Sequence, residues 1–269
     1  FSLFIGHTPH SQGNLFEGPF LGALIIAFSA AFSALVFHRQ PDGERRGLSR
    51  ILLGWSALWW FVLVLPSLAD WASWMLAAHT TLAPDNGKLF IALYSGLLAL
   101  STIALARLAT RLDWGDLRWL AAAVWPGLLL STLIILATLH SYRLPGYLVW
   151  AGFIALWLAS EYLLANGQRQ AWLLPENRPR TLRLLHTLRT AGPWLILWPL
   201  GYQLINLGLQ AGSAEEAMLL NEAGWFTAGS WARYLPAWAM MAYVALLIPR
   251  TQSESWPTAP IPDWYRNVL

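Results

Sequence analysis

Residues 107–140, RLATRLDWGDLRWLAAAVWPGLLLSTLIILATLH, decide the fold of this chain. They contain its longest apolar run, Trp119 to Leu139, with arginines before the run and almost none after it. A helix of about 20 apolar residues is as long as the hydrocarbon core of a bilayer is thick. The stretch therefore predicts a membrane-spanning helix, and its one-sided charge predicts the direction in which that helix crosses the membrane.

The composition of the whole chain predicts the same class. Hydrophobic residues make up 57% of the 269 residues and charged residues only 12%, against roughly 25% charged residues in a soluble domain. The net charge of +3 is small, and the arginines lie in short loops, so we do not expect nucleic acid as a partner. The absence of cysteine excludes disulfides and thiolate metal sites. The 18 tryptophans are typical of aromatic belts at the two membrane surfaces.

Apolar runs elsewhere in the chain extend this prediction to an all-α transmembrane bundle of about seven spans. Pro66 should break the second span near its outer end, and residues 70–74 should then form a short helix in the interface. We expect residues 1–249 to form the bundle and residues 250–269 to form a proline-containing cytoplasmic tail. The predicted spans are residues 20–37, 51–69, 89–106, 119–139, 147–165, 192–209 and 234–248.

The positive charges predict how the bundle is threaded. With these spans, 14 of the 17 lysines and arginines fall in loops on one side, and only Lys88, Arg143 and Arg233 fall on the other. Loops rich in these residues stay in the cytoplasm. The amino end is therefore predicted outside and the carboxyl end inside. No basic region precedes an apolar run at Phe1, so no signal peptide is visible, and we expect the chain to be part of something longer.

Several segments from about Leu89 onward form a recognisable pattern. They are Arg111-Leu-Asp-Trp114, Leu117-Arg-Trp119, the tryptophan-rich helix from Tyr147 to Tyr162, His186 ahead of Gly192-Pro-Trp194, and Tyr234-Leu235-Pro236. With these segments the chain resembles a family of predicted bacterial membrane proteins known as domain of unknown function 2339. The resemblance implies a multi-pass protein of the bacterial inner membrane that matches only the carboxyl-terminal part of the longer family members. It implies no activity.

Four polar residues within the predicted spans are candidates for a binding site or a polar cavity. Glu161 is the only acidic residue inside a span, and such a residue is costly in hydrocarbon unless it is paired or functional. It could couple protons or bind substrate, or it could play a structural role by reaching headgroups or Arg169. Gln203 and Asn206 share a face of the sixth span with Tyr202. These side chains could line a cavity or form hydrogen bonds between helices.

A second set of candidates lies in the longest predicted inner loop. Leucines at 182, 185 and 188 share one face of residues 180–189, so this segment should lie on the inner leaflet. The arginines expected to contact anionic lipid are Arg178, Arg180, Arg183 and Arg189. We predict no metal site, because the histidines lack the spacing of a metal-binding motif, and no cofactor, because no nucleotide-binding motif occurs.

These observations favour a subunit or scaffold of an envelope-associated assembly, with membrane lipids and other membrane subunits, or the missing part of a longer chain, as partners. Two alternatives stay open. The chain could transport a lipid or small solute, or it could be an enzyme that modifies an envelope glycan or lipid. No nucleophile, acid and base converge by motif, so the catalytic residues of such an enzyme are unknown and the sequence leans away from catalysis.

Overall fold

The computed structural model describes residues 19–40, 43–79, 86–140, 147–169, 180, 182–187, 189, 238 and 241–250. Throughout these ranges the regular elements are helices and no strand occurs, which confirms the all-α class. Within the same ranges five helices are long and apolar enough to cross a membrane. The chain is therefore a helical membrane protein. The predicted sixth span and the tail after Arg250 lie outside the described residues.

Seven α-helices and one π-helical segment are numbered here along the chain. They are α1 (Pro19–His38), α2 (Gly43–Trp59), the π-helical segment (Trp60–Val64), α3 (Leu65–His79), α4 (Asn86–Arg111), α5 (Gly115–Ala121), α6 (Val124–His140) and α7 (Tyr147–Arg169). A ten-residue apolar helix, Met241–Arg250, covers part of the predicted seventh span. The chain divides into two compact units, residues 1–128 with 146–160, and residues 129–145 with 161–269.

In the first unit, α1 and α2 pack as an antiparallel pair in a regular register. Ser49 on α2 donates a hydrogen bond to the carbonyl of Ala34, and seven residues further along Ser56 donates to the carbonyl of Ala27. Both bonds are 2.7 Å long. Small residues at these α1 positions allow close approach of the backbones, and hydroxyls that reach across to a carbonyl add polar contacts between helices in a membrane. The alanine-rich face of α1 is thereby turned towards α2.

The second span differs from the prediction, because Pro66 does not end it. Residues 43–79 form one continuous helical rod that changes register at the π-helical segment, and within it Glu44–Leu76 is long enough, and contains an apolar stretch long enough, to cross a membrane. Residues 70–74 belong to α3 instead of forming a separate interfacial helix. A register shift of this kind accommodates a proline inside a helix, because it rearranges the hydrogen bonds of the preceding turn. A rod of 37 residues, about 55 Å long at 1.5 Å per residue, exceeds the hydrocarbon thickness and must tilt or protrude.

Helices α4 and α7 approach each other closely at Gly152. A β-carbon added at Gly152 would lie 3.0 Å from Cβ of Ser95 and 3.1 Å from Cα of Ala92. Glycine is the residue that fits where two helix backbones come this near. The contact positions the first half of α7 against α4 in the first unit.

The central stretch of the sequence forms α5 and the helix that follows it, as one apolar span from Gly115 to Ala137. A turn at residues 122–123 separates the two helices. There Ala122 and Ala123 donate to carbonyls three residues back, Trp119 and Leu120. Pro126, which lacks an N–H, follows directly in the first turn of α6, a position that tolerates proline. The predicted span is therefore present, with an interruption in its first half.

Candidate functional site

A tight turn between α4 and α5 builds the first polar cluster. The N–H of Trp114 donates to the carbonyl of Ala109 over 2.9 Å, and Asp113 adopts a left-handed conformation with φ of 48°. This six-residue closure with a left-handed residue inside it is a Schellman motif. Such motifs usually bring the residue after the left-handed one into apolar contact with the last turn. Here Trp114 and Ala109 are both buried in one hydrophobic cluster, together with Leu117.

Residues of this turn and of the start of α5 also contact the end of α1 and the first turns of α2. The imidazole of His38 stacks on the indole of Trp114 with ring centroids 5.2 Å apart, and its Nε2 lies 3.4 Å from the carbonyl oxygen of Asp113. Arg50 donates from Nε to the Asp116 carboxylate over 3.1 Å. The two arginine-rich loops predicted to share one side of the membrane therefore meet at one end of the first unit.

Between these residues lies an open depression of about 420 Å³, which we call the interfacial crevice. Five of its six lining residues are polar or charged, and the lining carries charges of both signs. The lining residues are His38, Arg46, Arg50, Asp113, Gly115 and Asp116. Because α1, α2, α4 and α5 all begin or end here, the crevice lies where apolar helices give way to polar residues, which in a bilayer would be the level of the lipid headgroups.

A second polar cluster lies in the second unit. Glu161 on α7 accepts a hydrogen bond from Nε of Arg189, and both side chains are largely buried, at 16% and 9% exposed. His186, one turn before Arg189, is fully buried. Burial, and secondarily the positive charge of Arg189, lower the pKa of His186 to about 4. His186 is therefore neutral at physiological pH.

This ion pair gives Glu161 a defined partner, the guanidinium of Arg189; the side chain of Arg169 lies outside the described residues. Arg189 is also one of the four arginines predicted to contact anionic lipid. The structure gives its guanidinium an internal partner, whereas Arg180 and Arg183 are exposed; lipid contact stays a prediction for all four arginines. Four other predicted site residues lie outside the described residues, namely Arg178, Tyr202, Gln203 and Asn206.

No family model matches this sequence. No curated protein and no solved structure is significantly similar to it. Function therefore rests on the geometry of the chain itself.

Sequence reasoning missed the polar contacts of the π-helical segment. The N–H of Leu65 donates to Trp60 five residues back, so the carbonyl of Phe61 loses its usual partner. Pro66 has no N–H to offer in its place. The hydroxyl of Tyr94 on α4 donates to this carbonyl over 3.2 Å. Pro66 was a visible signal, because a proline inside a span leaves a carbonyl free, but no sequence pattern identifies Tyr94 as the donor.

A further contact ties the π-helical segment to α4, where Nε1 of Trp60 donates to Oγ of Ser101 over 3.2 Å. Ser49 and Ser56 were missed as well, although their spacing of seven residues matches that of Ala27 and Ala34. Among the described residues no group of three or more histidines, aspartates or glutamates is arranged to hold a metal ion. The hydroxyls of Ser49, Ser56 and Tyr94 and the indole of Trp60 therefore all form hydrogen bonds with a neighbouring helix.

Proposed function

We propose that this chain is a multi-pass subunit or scaffold of an envelope-associated assembly in the bacterial inner membrane. One observation carries the proposal: polar side chains in the described spans join helices to one another. Ser49, Ser56 and Tyr94 all donate to backbone carbonyls of a neighbouring helix. Such bonds stabilise a fixed arrangement of helices. Transport along the bundle would instead require polar groups that face a pathway and change partners.

The pairing of Glu161 supports the same conclusion. A carboxylate bound to a guanidinium forms a charge-assisted hydrogen bond of defined geometry, which fixes the two side chains that it joins. Glu161 is held by the guanidinium of Arg189, and arginine does not release its proton in proteins. The pair therefore favours a structural role for Glu161 over proton coupling.

The outer faces of the first two helices offer surfaces for partner subunits or lipid. Large apolar side chains stand exposed along them, including Phe28 and Phe32 on α1 and Ile51 and Leu58 on α2. Exposed apolar faces of this kind are stable only in contact with lipid or with another apolar helix. The resemblance to predicted bacterial membrane proteins supports the bacterial inner membrane as the location.

The test is native mass spectrometry of the protein extracted gently from its own membrane. A stoichiometric partner chain is the expected result, and it would identify the assembly. A chain that is repeatedly found without a protein partner would overturn the proposal. Bound phospholipid alone does not bear on the outcome, because a partner chain and a lipid are resolved as separate masses.

A paired substitution separates a scaffold from a transporter. Glu161→Gln alone leaves the buried Arg189 without its counter-ion and should lower stability by about 3 kcal/mol. Glu161→Gln combined with Arg189→Gln removes both charges and keeps groups that can form hydrogen bonds. For a scaffold the double variant should still bind the partner found by mass spectrometry. Loss of a measurable transport activity in a double variant that still assembles would favour a transporter.

A further inference from the structure

The interfacial crevice has two features that occur together: its position at the ends of several helices and its mixed charge. It lies where four helices of the first unit begin or end, and it carries exposed charges of both signs. Arg46 and Arg50 share one face of α2 at i, i+4 spacing. Asp113 and Asp116 stand opposite them in the lining. A simple anion site would contain cations without the two carboxylates.

The charges in the crevice are only partly satisfied within the described residues. The ion pair between Arg50 and Asp116 uses Nε of the arginine, so the two terminal nitrogens of the guanidinium stay available to an acceptor. The Arg50 side chain is 70% exposed. Arg46 and the carboxylate of Asp113 are exposed too, and neither has an ion-pair partner in the part of the chain that the structure describes. The lining therefore contains one cationic and one anionic group that no other described residue neutralises.

We infer that the crevice binds a zwitterionic phospholipid headgroup of the phosphoethanolamine type. Its phosphate would accept hydrogen bonds from the guanidinium groups of Arg46 and Arg50, which suit phosphate oxygens. Its primary ammonium would donate to the carboxylate of Asp113. A purely anionic headgroup would be repelled by the carboxylates, and a quaternary ammonium has no N–H to donate.

The surroundings favour a lipid over free phosphate as the source of this headgroup. Ile51 directly follows Arg50 and is 69% exposed, and Trp55 one turn further is exposed as well. A ligand bound at Arg50 would thus have an apolar helix surface beside it on the membrane side. Acyl chains gain from contact with such a surface, whereas an inorganic ion does not.

The test is a titration of the delipidated full-length protein in detergent, followed by native mass spectrometry. Three probes are compared: phosphatidylethanolamine, phosphatidylglycerol and inorganic phosphate. We expect phosphatidylethanolamine to bind most tightly. Arg46→Gln and Asp113→Asn should each weaken its binding about tenfold or more, since a charge-assisted hydrogen bond contributes at least that factor. Asparagine tolerates the left-handed conformation of residue 113, so this variant should keep the turn.

Two control variants carry the same charge changes near the crevice but outside its lining. Arg111→Gln and Glu44→Gln alter exposed residues at the end of α4 and in the first turn of α2. Both should bind phosphatidylethanolamine like the wild type. Equal loss in controls and crevice variants, or no loss in either, would overturn the site.

Two other results would overturn the assigned headgroup. Tighter binding of phosphatidylglycerol that strengthens in Asp113→Asn would show an anionic lipid. Arg46-dependent binding of inorganic phosphate without any binding of phosphatidylethanolamine would show a soluble ligand. Circular dichroism and gel filtration of each variant check that a loss of binding is not a loss of fold. None of these outcomes depends on the presence of a partner chain, so the inference and the scaffold proposal fail independently.

Discussion

The hydrogen bond from Tyr94 to Phe61 exists because of Pro66, and a double-mutant cycle can demonstrate this dependence. Tyr94→Phe removes the hydroxyl and leaves the Phe61 carbonyl without a partner inside an apolar span. Pro66→Ala supplies an N–H that proline lacks. In the π register this N–H meets Phe61 directly, and in a restored α register the N–H of Leu65 does so. In either case the carbonyl regains a partner within its own helix.

The expected energies follow from this geometry. Hydrogen bonds between membrane helices contribute about 0.6 kcal/mol on average and up to ~1.7 kcal/mol. An unpaired carbonyl in a dry environment lies at the upper end of that range, so Tyr94→Phe should cost about 1.5 kcal/mol in the wild-type background. In the Pro66→Ala background the cost should fall to about 0.3 kcal/mol or less. The coupling energy between the two positions is then about 1 kcal/mol, which a double-mutant cycle resolves.

Reversible unfolding in mixed detergent micelles provides the free energies of the four proteins in the cycle. Ser101→Ala is the matched control, because it breaks the bond from Trp60 between the same two elements without touching the Phe61 carbonyl. Its cost should be the same with proline or alanine at 66. An equal cost of Tyr94→Phe in both backgrounds would refute the reasoning, because the carbonyl would then not depend on Pro66.

Three further predictions concern packing, titration and backbone strain. Gly152→Ala should destabilise the protein by about 1–3 kcal/mol in the same unfolding assay, because the added Cβ would press on Ser95 and on the α4 backbone. Gly54→Ala is the control and should be neutral or stabilising, because a Cβ added there meets no atom within 4 Å. The folded state binds fewer protons at His186 than the unfolded state between pH 6.5 and about 4. The free energy of unfolding should therefore be at its full value above pH 6.5 and fall by about 3 kcal/mol as the pH drops to 4. His186→Leu should flatten this part of the pH profile, and an unchanged profile would contradict the lowered pKa of His186. Asp113→Val should lower the thermal midpoint because a β-branched residue costs about 1–2 kcal/mol in the left-handed region, while Asp113→Gly should not, and equal midpoints would argue against the turn.

The sequence predicted the first five spans well, because apolar length is a property that each segment carries by itself. The predicted span 89–106 lies inside α4, and 147–165 lies inside α7. The error at Pro66 has a physical cause. Proline was expected to end the helix, but a span in hydrocarbon cannot leave its backbone groups unpaired and end freely there. A register shift and a hydroxyl from α4 instead provide hydrogen-bond partners for the carbonyls of the turn before Pro66.

The candidate sites were less predictable than the spans, since each joins residues far apart in the chain. Glu161 was identified from its rarity within a span, but its pairing with Arg189 could not be deduced, because several arginines lay within the same predicted loop. The motif from Arg111 to Trp114 was noticed only as a resemblance. Its role as a Schellman turn, in which Trp114 stacks against His38, becomes visible only when the end of α1 is placed against the turn that follows α4.

By itself the sequence determined the class of the protein, the positions of its first five spans and the clustering of arginines in short segments between apolar runs, because these depend on composition and on runs of neighbouring residues. Only the tertiary structure decided which hydroxyl meets which carbonyl, how the rod of residues 43–79 passes Pro66, and which charges line the interfacial crevice. The reason is the range of the interactions. Hydropathy is summed along one helix, whereas a hydrogen bond within about 3 Å requires the relative rotation and register of two helices, which no single segment specifies.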